Sequence, residues 1–133
     1  MNAGKAVRVR DLMATDIRSV DGMATVADAI SMMKEHGVSS LAVNRRDEDD
    51  EIGLVLISDI ASKVTVPDRS PDRVNVYEIM SKPAITVSEE MLARYAIRLL
   101  VRFDISRAMV LDAGRNPVGI VTLRDLVLGE HTE

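Results

Sequence analysis

The sequence predicts a mixed α/β (α+β) chain made of two tandem copies of one small β-α-β-β-α unit. Three observations predict it. Displacing the chain by 67 residues brings its halves into register: Val9 meets Val76, Leu12 meets Ile79, Met13 meets Met80, Val20 meets Val87, Ala29 meets Ala96, Ser39 meets Ser106 and Val43 meets Val110. After a gap of one residue the displacement becomes 66, and Gly53 meets Gly119, Val55 meets Val121 and Asp59 meets Asp125. Within each copy, one stretch of helical periodicity sits among short apolar runs of strand length, an order that implies small sheets covered by helices.

The elements follow in order. A short apolar turn opens each copy, Val9 to Met13 and Val76 to Met80. A brief extended piece comes next, Ile17 to Val20 and Ala84 to Val87. Thr25 is then placed to cap a helix, with Asp28 three residues on in capping-box spacing. Val26, Ala29, Ile30 and Met33 give that helix one apolar face, and Gly37 is its expected stop. In the second copy Ser88 is the expected cap, and Leu92, Ala96, Ile97 and Leu100 repeat the face. Two strands follow in each copy: Ser40 to Asn44 with Ile52 to Ile57, and Arg107 to Leu111 with Pro117 to Leu123. The intervening stretches are turn-forming: Arg45 to Glu51 reads as a solvated acidic turn, and Asp112 to Asn116 contains Gly114. A short final helix starts near Ser58 and near Thr122. The expected organisation is therefore residues 7–66, a Pro- and Asp-rich linker at 67–73, and residues 74–129.

Composition limits the function. The 133 residues are 47% hydrophobic and 29% charged, an ordinary globular balance. One Phe, two Tyr and no Trp leave few platforms for stacking bases, and a net charge of -4 opposes a duplex-binding face. A nucleic-acid partner is not expected. The absence of Cys removes disulfides, thiolate catalysis and cysteine-based metal sites. No apolar run approaches the ~20 residues of a membrane helix, and Met1 to Arg10 lacks a secretory apolar core. A cytoplasmic location is the expectation. Units of about 60 residues bury little surface alone, so the two are expected to pack about a pseudo-twofold axis, leaving clefts at their junction.

Particular runs add a resemblance. Asp11-Leu12-Met13 precedes Ile17-Arg18-Ser19-Val20, and Glu78-Ile79-Met80 precedes Ile85-Thr86-Val87. Val38-Ser39-Ser40-Leu41-Ala42-Val43 follows the first helix. Gly119-Ile120-Val121-Thr122-Leu123-Arg124-Asp125-Leu126 is the clearest run, and Gly53-Leu54-Val55-Leu56-Ile57-Ser58-Asp59-Ile60 is a weaker copy. In this duplicated order the chain resembles the CBS domain family over about residues 7 to 129. The resemblance implies a CBS pair, or Bateman module. Such pairs usually dimerise into a disc of four CBS domains, and many bind AMP, ADP, ATP or S-adenosylmethionine as regulatory ligands, in some cases for energy sensing.

The resemblance also implies two ligand sites. The better one takes Thr122 and Asp125 from the second copy, with Ile120 and Arg124, against Asp16, Ile17, Arg18, Val38 and Ser39 of the first. The Asp125 carboxylate would accept hydrogen bonds from adjacent ribose hydroxyls, and a charged acceptor makes the stronger bond. Thr122, at a helix start, favours an anion nearby. The weaker site keeps Asp59, with Leu54 and Ser58, against Lys82, Pro83, Ala84, Ile85, Ile105, Ser106 and Arg107. There Leu56 replaces the expected hydroxyl residue, a loss of roughly 1 kcal/mol.

No metalloprotease, P-loop, dinucleotide or nucleophile-elbow motif is present, and neither His36 nor His131 sits in an acid–base pair. Catalysis, a metal and a resident cofactor are not expected. The leading expectation is a regulatory module that binds an adenosine-type nucleotide and transmits this to an effector protein. A ligand-free dimerisation or docking module with degenerate sites is the alternative.

Overall fold

The computed structural model describes residues 6–82 and 84–131. Its element order is β1 (Ser19–Val20), α1 (Val26–His36), β2 (Ser40–Val43), β3 (Gly53–Leu56), α2 (Ile57–Ile60), β4 (Thr86–Ser88), α3 (Ala93–Arg102), β5 (Arg107–Leu111), β6 (Pro117–Thr122) and α4 (Leu123–Glu130). The predicted β-α-β-β-α order thus occurs twice. Single 3-10 turns at Val9–Asp11 and Val76–Glu78 open the copies, and α2 runs on into a π turn at Ala61–Thr65. Each sheet has three strands, ordered β1-β2-β3 and β4-β5-β6. The first pair of each is parallel and the second antiparallel.

The chain forms two compact units, and they do not follow the repeat. One holds residues 18–84; the other holds the residues up to Ile17 with those from Ile85 onward. Segment 67–73, read from sequence as a linker, lies inside the first of these. Each repeat has given its opening turn to the unit of the other.

Backbone chemistry explains the exchange. The first N–H groups of a helix have no partner within it. The Val26 N–H of α1 donates to the Val74 carbonyl at 2.8 Å, and the Ala93 N–H of α3 donates to the Val7 carbonyl at 2.8 Å. The free edges of β3 and β6 are covered in the same way. Leu54 and Ser81 exchange both backbone bonds at 3.0 and 2.9 Å, and Ile120 and Ala14 do so at 2.9 Å each.

The cores obey the repeat register. In residues 18–84 the core contains Val20, Val26, Ala29, Met33, Val43, Val55 and Ile60, with Val76 and Ile79 from the opening turn of the second copy. In the other unit Val87, Ala93, Ala96, Leu100, Val110, Val121 and Leu126 take the matching positions, with Val9 from the opening turn of the first.

Two local expectations need different treatment. The Thr25–Asp28 capping box forms, with both reciprocal bonds at 3.1 Å, and Gly37 ends α1 at φ 64°. Ser88, however, does not cap α3. It ends β4 and its hydroxyl accepts the Glu90 N–H at 3.1 Å, while Leu92 is the residue before the helix. The Ala93 N–H donates to Val7 and the Tyr95 N–H to the Leu92 carbonyl at 3.0 Å, so α3 starts on backbone partners without a side-chain cap.

Candidate functional site

The strand-to-helix corners at β3–α2 and β6–α4 carry the two predicted carboxylates. At the second corner, Thr122 is the residue before α4, and its hydroxyl oxygen accepts the Asp125 N–H at 3.1 Å. The threonine therefore does the capping. The Asp125 side chain stays 48% exposed, with Arg124 Nη1 at 3.4 Å. A carboxylate in that state is available to accept bonds from a ligand.

The first corner is built differently because Leu56 has no hydroxyl. Asp59 supplies the cap: its Oδ2 accepts the Leu56 N–H at 2.9 Å, and Lys63 Nζ stands 3.7 Å from its other oxygen. Only 16% of the Asp59 side chain is exposed. The two corners thus hold the same acid differently, bonded to the backbone in the first and presented in the second.

Neighbouring residues fall into place through hairpin register. The first residue of β5 must oppose the last of β6, so Arg107 pairs with Thr122. Ser106 precedes it, and its carbonyl accepts the Leu123 N–H at 2.8 Å. The matching Ser39 carbonyl accepts the Ile57 N–H at 2.9 Å, beside α2. Ser106 and Arg107 therefore adjoin the corner of Thr122 and Asp125, and Ser39 adjoins that of Asp59. The resemblance groups Ser39 with Thr122 and Asp125, and Ser106 and Arg107 with Asp59. The hairpin pattern in the sequence carried this signal.

The remaining predicted residues divide by unit. Asp16, Ile17, Ile120, Thr122, Arg124 and Asp125 share one compact unit, which also holds Ile85, Ile105, Ser106 and Arg107. Arg18, Val38, Ser39, Leu54, Ser58, Asp59, Lys82 and Ala84 belong to residues 18–84. The Ala14–Ile120 bridge ties the segment leading to Asp16 and Ile17 onto β6. Pro83 lies outside the described residues.

The turn at Arg45 to Glu51 corrects one expectation. It is not solvated throughout. The Asp50 side chain is 7% exposed and meets Lys82 Nζ at 2.6 Å. It also accepts the Arg46 N–H at 2.9 Å and meets Arg46 Nε at 3.1 Å. Hydrogen bonds from Arg46 and then Lys82 push its pKa well below the usual carboxylate range. Lys82, expected in the wall of the weaker site, meets this carboxylate. The sequence hid the pair because 32 residues separate its members. Among the described residues no cluster of His, Asp and Glu would hold a metal, and no helix is long and apolar enough to cross a membrane.

Comparison with known proteins gives consistent matches. The family model for the CBS domain matches residues 9–65 and again residues 76–129. An uncharacterised protein of Methanopyrus kandleri is 33% identical over 124 residues, which are 92% of this chain. The chain spans 62% of the length of that relative. The solved structure of the hexameric CBS-CP12 protein from bloom-forming cyanobacteria has a TM-score of 0.91 at 34% identity, over 96% of this chain and 74% of that one. The CBS domain of the bacterial CNNM/CorC family Mg2+ transporter, solved in complex with ATP, has a TM-score of 0.75 at 26% identity, over 92% of this chain and 85% of that one.

Proposed function

Since this chain belongs to the CBS domain family and carries two copies of its repeat, we propose that it is a regulatory module that binds an adenine nucleotide at the β6–α4 corner. AMP, ADP, ATP and S-adenosylmethionine are the ligands to try. The observation that carries this reading is the division of labour between Thr122 and Asp125. The hydroxyl caps the helix, and the carboxylate one turn on is half-exposed and open to a ribose diol. The start of α4 beside it, with Arg124, suits a phosphate. A relative at 26% identity is known in complex with ATP, which supports the ligand class.

Regulation follows from linkage. A ligand shifts a conformational equilibrium only by its difference in affinity for the two states, and an effector protein that prefers one state senses the shift. The module would work as a homodimer in the cytoplasm, alone or as part of a larger assembly. The β3–α2 corner favours a lesser role for the first copy, because Asp59 is already spent on the backbone of Leu56. One strong site and one weak or silent site are expected, and a purely ligand-free docking role is the alternative.

Isothermal titration with the four compounds tests this. Binding of at least one, weakened tenfold or more by Asp125→Ala and little by Asp59→Ala, is expected. No heat with any of them up to about 1 mM, equivalent to only ~4 kcal/mol, overturns it.

A further inference from the structure

Within residues 18–84 there is a cavity of about 780 Å³ at the opposite end of the sheet from the β3–α2 corner. It lies where β1 and β2 end, not where they begin, and none of the corner residues lines it. Its wall has two characters. Arg45, Arg46 and Lys82 supply cationic groups, while Met23, Tyr77 and Met80 supply a ring and two thioethers. Asp21 is the carboxylate in the lining, and its Oδ1 accepts the Met23 N–H at 2.9 Å. Asp50, behind the wall, holds both Arg46 and Lys82 in place. Arg46 and Lys82 share Asp50, and Arg45 adds a third cationic group to the wall.

The repeat provides an independent comparison. Tyr77 corresponds to Arg10, and Met23 corresponds to Glu90. The backbone is the same in both places: the Tyr77 N–H donates to the Gly22 carbonyl at 2.9 Å, and the Arg10 N–H donates to the Glu89 carbonyl at 3.0 Å. In the unit that includes Arg10, an ion pair between Arg10 and Glu90 straps that position. In residues 18–84 the strap is missing, and Met23 and Tyr77 stand 71% and 47% exposed instead. The fold therefore does not require apolar groups there. Large apolar side chains held open beside a cationic wall, in a cavity of small-molecule size, have the make-up of a ligand pocket.

We propose that this cavity is a second binding site, specific for a small monophosphorylated molecule with a flat ring. The ring lies against Tyr77 and the two methionine thioethers, which adapt to irregular apolar surfaces. The phosphate lies toward Arg45, Arg46 and Lys82, where charge-assisted bonds are strongest. Asp50 pre-orients two of those donors, which lowers the ordering cost of binding. This site does not use Asp125, and the residue it shares with the expected weaker nucleotide site is Lys82.

The test uses protein carrying 13C-methyl methionine, with phenyl phosphate as the probe. Saturable shifts of the Met23 and Met80 methyl signals are expected, at least tenfold weaker with phenol or inorganic phosphate alone. Tyr77→Ala, at a half-exposed position, is expected to weaken the titration at least tenfold, and Asp125→Ala to leave it unchanged. The Met33 methyl, in the core, reports that each variant is folded. Absence of Met23 and Met80 shifts up to about 10 mM probe overturns the proposal. So does a response that survives Tyr77→Ala but is lost in Asp125→Ala.

Discussion

Gly119→Ala isolates the contact that ties the opening turn of the first repeat to β6. An added Cβ at Gly119 lies 2.7 Å from Met13 Sδ and 2.8 Å from the Ala14 carbonyl oxygen. The thioether can move. The carbonyl cannot, because Ala14 and Ile120 exchange both backbone bonds at 2.9 Å. Overpacking of this kind costs about 1–3 kcal/mol, and loosening the two bonds adds about 1 kcal/mol each. A loss of about 3–5 kcal/mol is expected, read as a fall in the urea midpoint by far-UV circular dichroism. Gly53→Ala is the internal control. Its Cβ would lie 3.0 Å from the mobile Met80 Sδ, 3.1 Å from Val43 Cβ and 3.4 Å from the Ser81 carbonyl oxygen, each longer than the matching contact at Gly119, so a smaller loss of about 1–2 kcal/mol is expected. The same Gly119→Ala protein should bind nucleotide more weakly, because the bridge leads directly into Asp16 and Ile17. Equal losses at the two glycines, within about 0.5 kcal/mol, would refute the reasoning.

Further outcomes follow from other contacts. Thr25→Ala removes the acceptor of the Asp28 N–H and should cost about 1 kcal/mol of stability in the same urea assay. Asp50→Asn tests the buried cluster through pH. The folded Asp50 binds its proton less readily than the unfolded chain does, so its contribution is complete above the ordinary carboxylate range and lost as pH falls below it. The gap between the urea midpoints of the natural protein and Asp50→Asn should therefore be full near neutral pH and shrink below roughly pH 4. Leu56→Thr should supply a hydroxyl that accepts the Asp59 N–H, as Thr122 does for Asp125, and raise nucleotide stoichiometry in titration toward two sites per chain. Gly37→Ala, at φ 64°, should cost about 1 kcal/mol by urea unfolding.

Much of the fold was legible because its signals are local or periodic. The spacing of Val26, Ala29 and Met33 marked the buried face of α1, and Thr25 with Asp28 marked its start. The run Gly119 to Asp125 contained a strand, a cap and an acid in consecutive residues, so the candidate corner could be named residue by residue. The repeat register extended this to both copies, down to matched core positions such as Met33 and Leu100.

What escaped the sequence depends on partners far along the chain. Nothing near Ser88 says that Val7, far back along the chain, will pair with the first N–H of α3. Nothing near Asp50 says that Lys82 will bury it. Nothing in two identical acids says that one will cap its own helix and the other will not, until the hydroxyl of Thr122 is set against the side chain of Leu56 in the folded corner. The amino-acid order alone determined the elements, their duplication and the residues worth watching, since these rest on periodicity and short-range hydrogen bonds. Tertiary structure decided which opening turn serves which sheet and which charges remain presented, because an unsatisfied backbone donor or carboxylate takes the partner that folding brings within reach, whatever its distance in sequence.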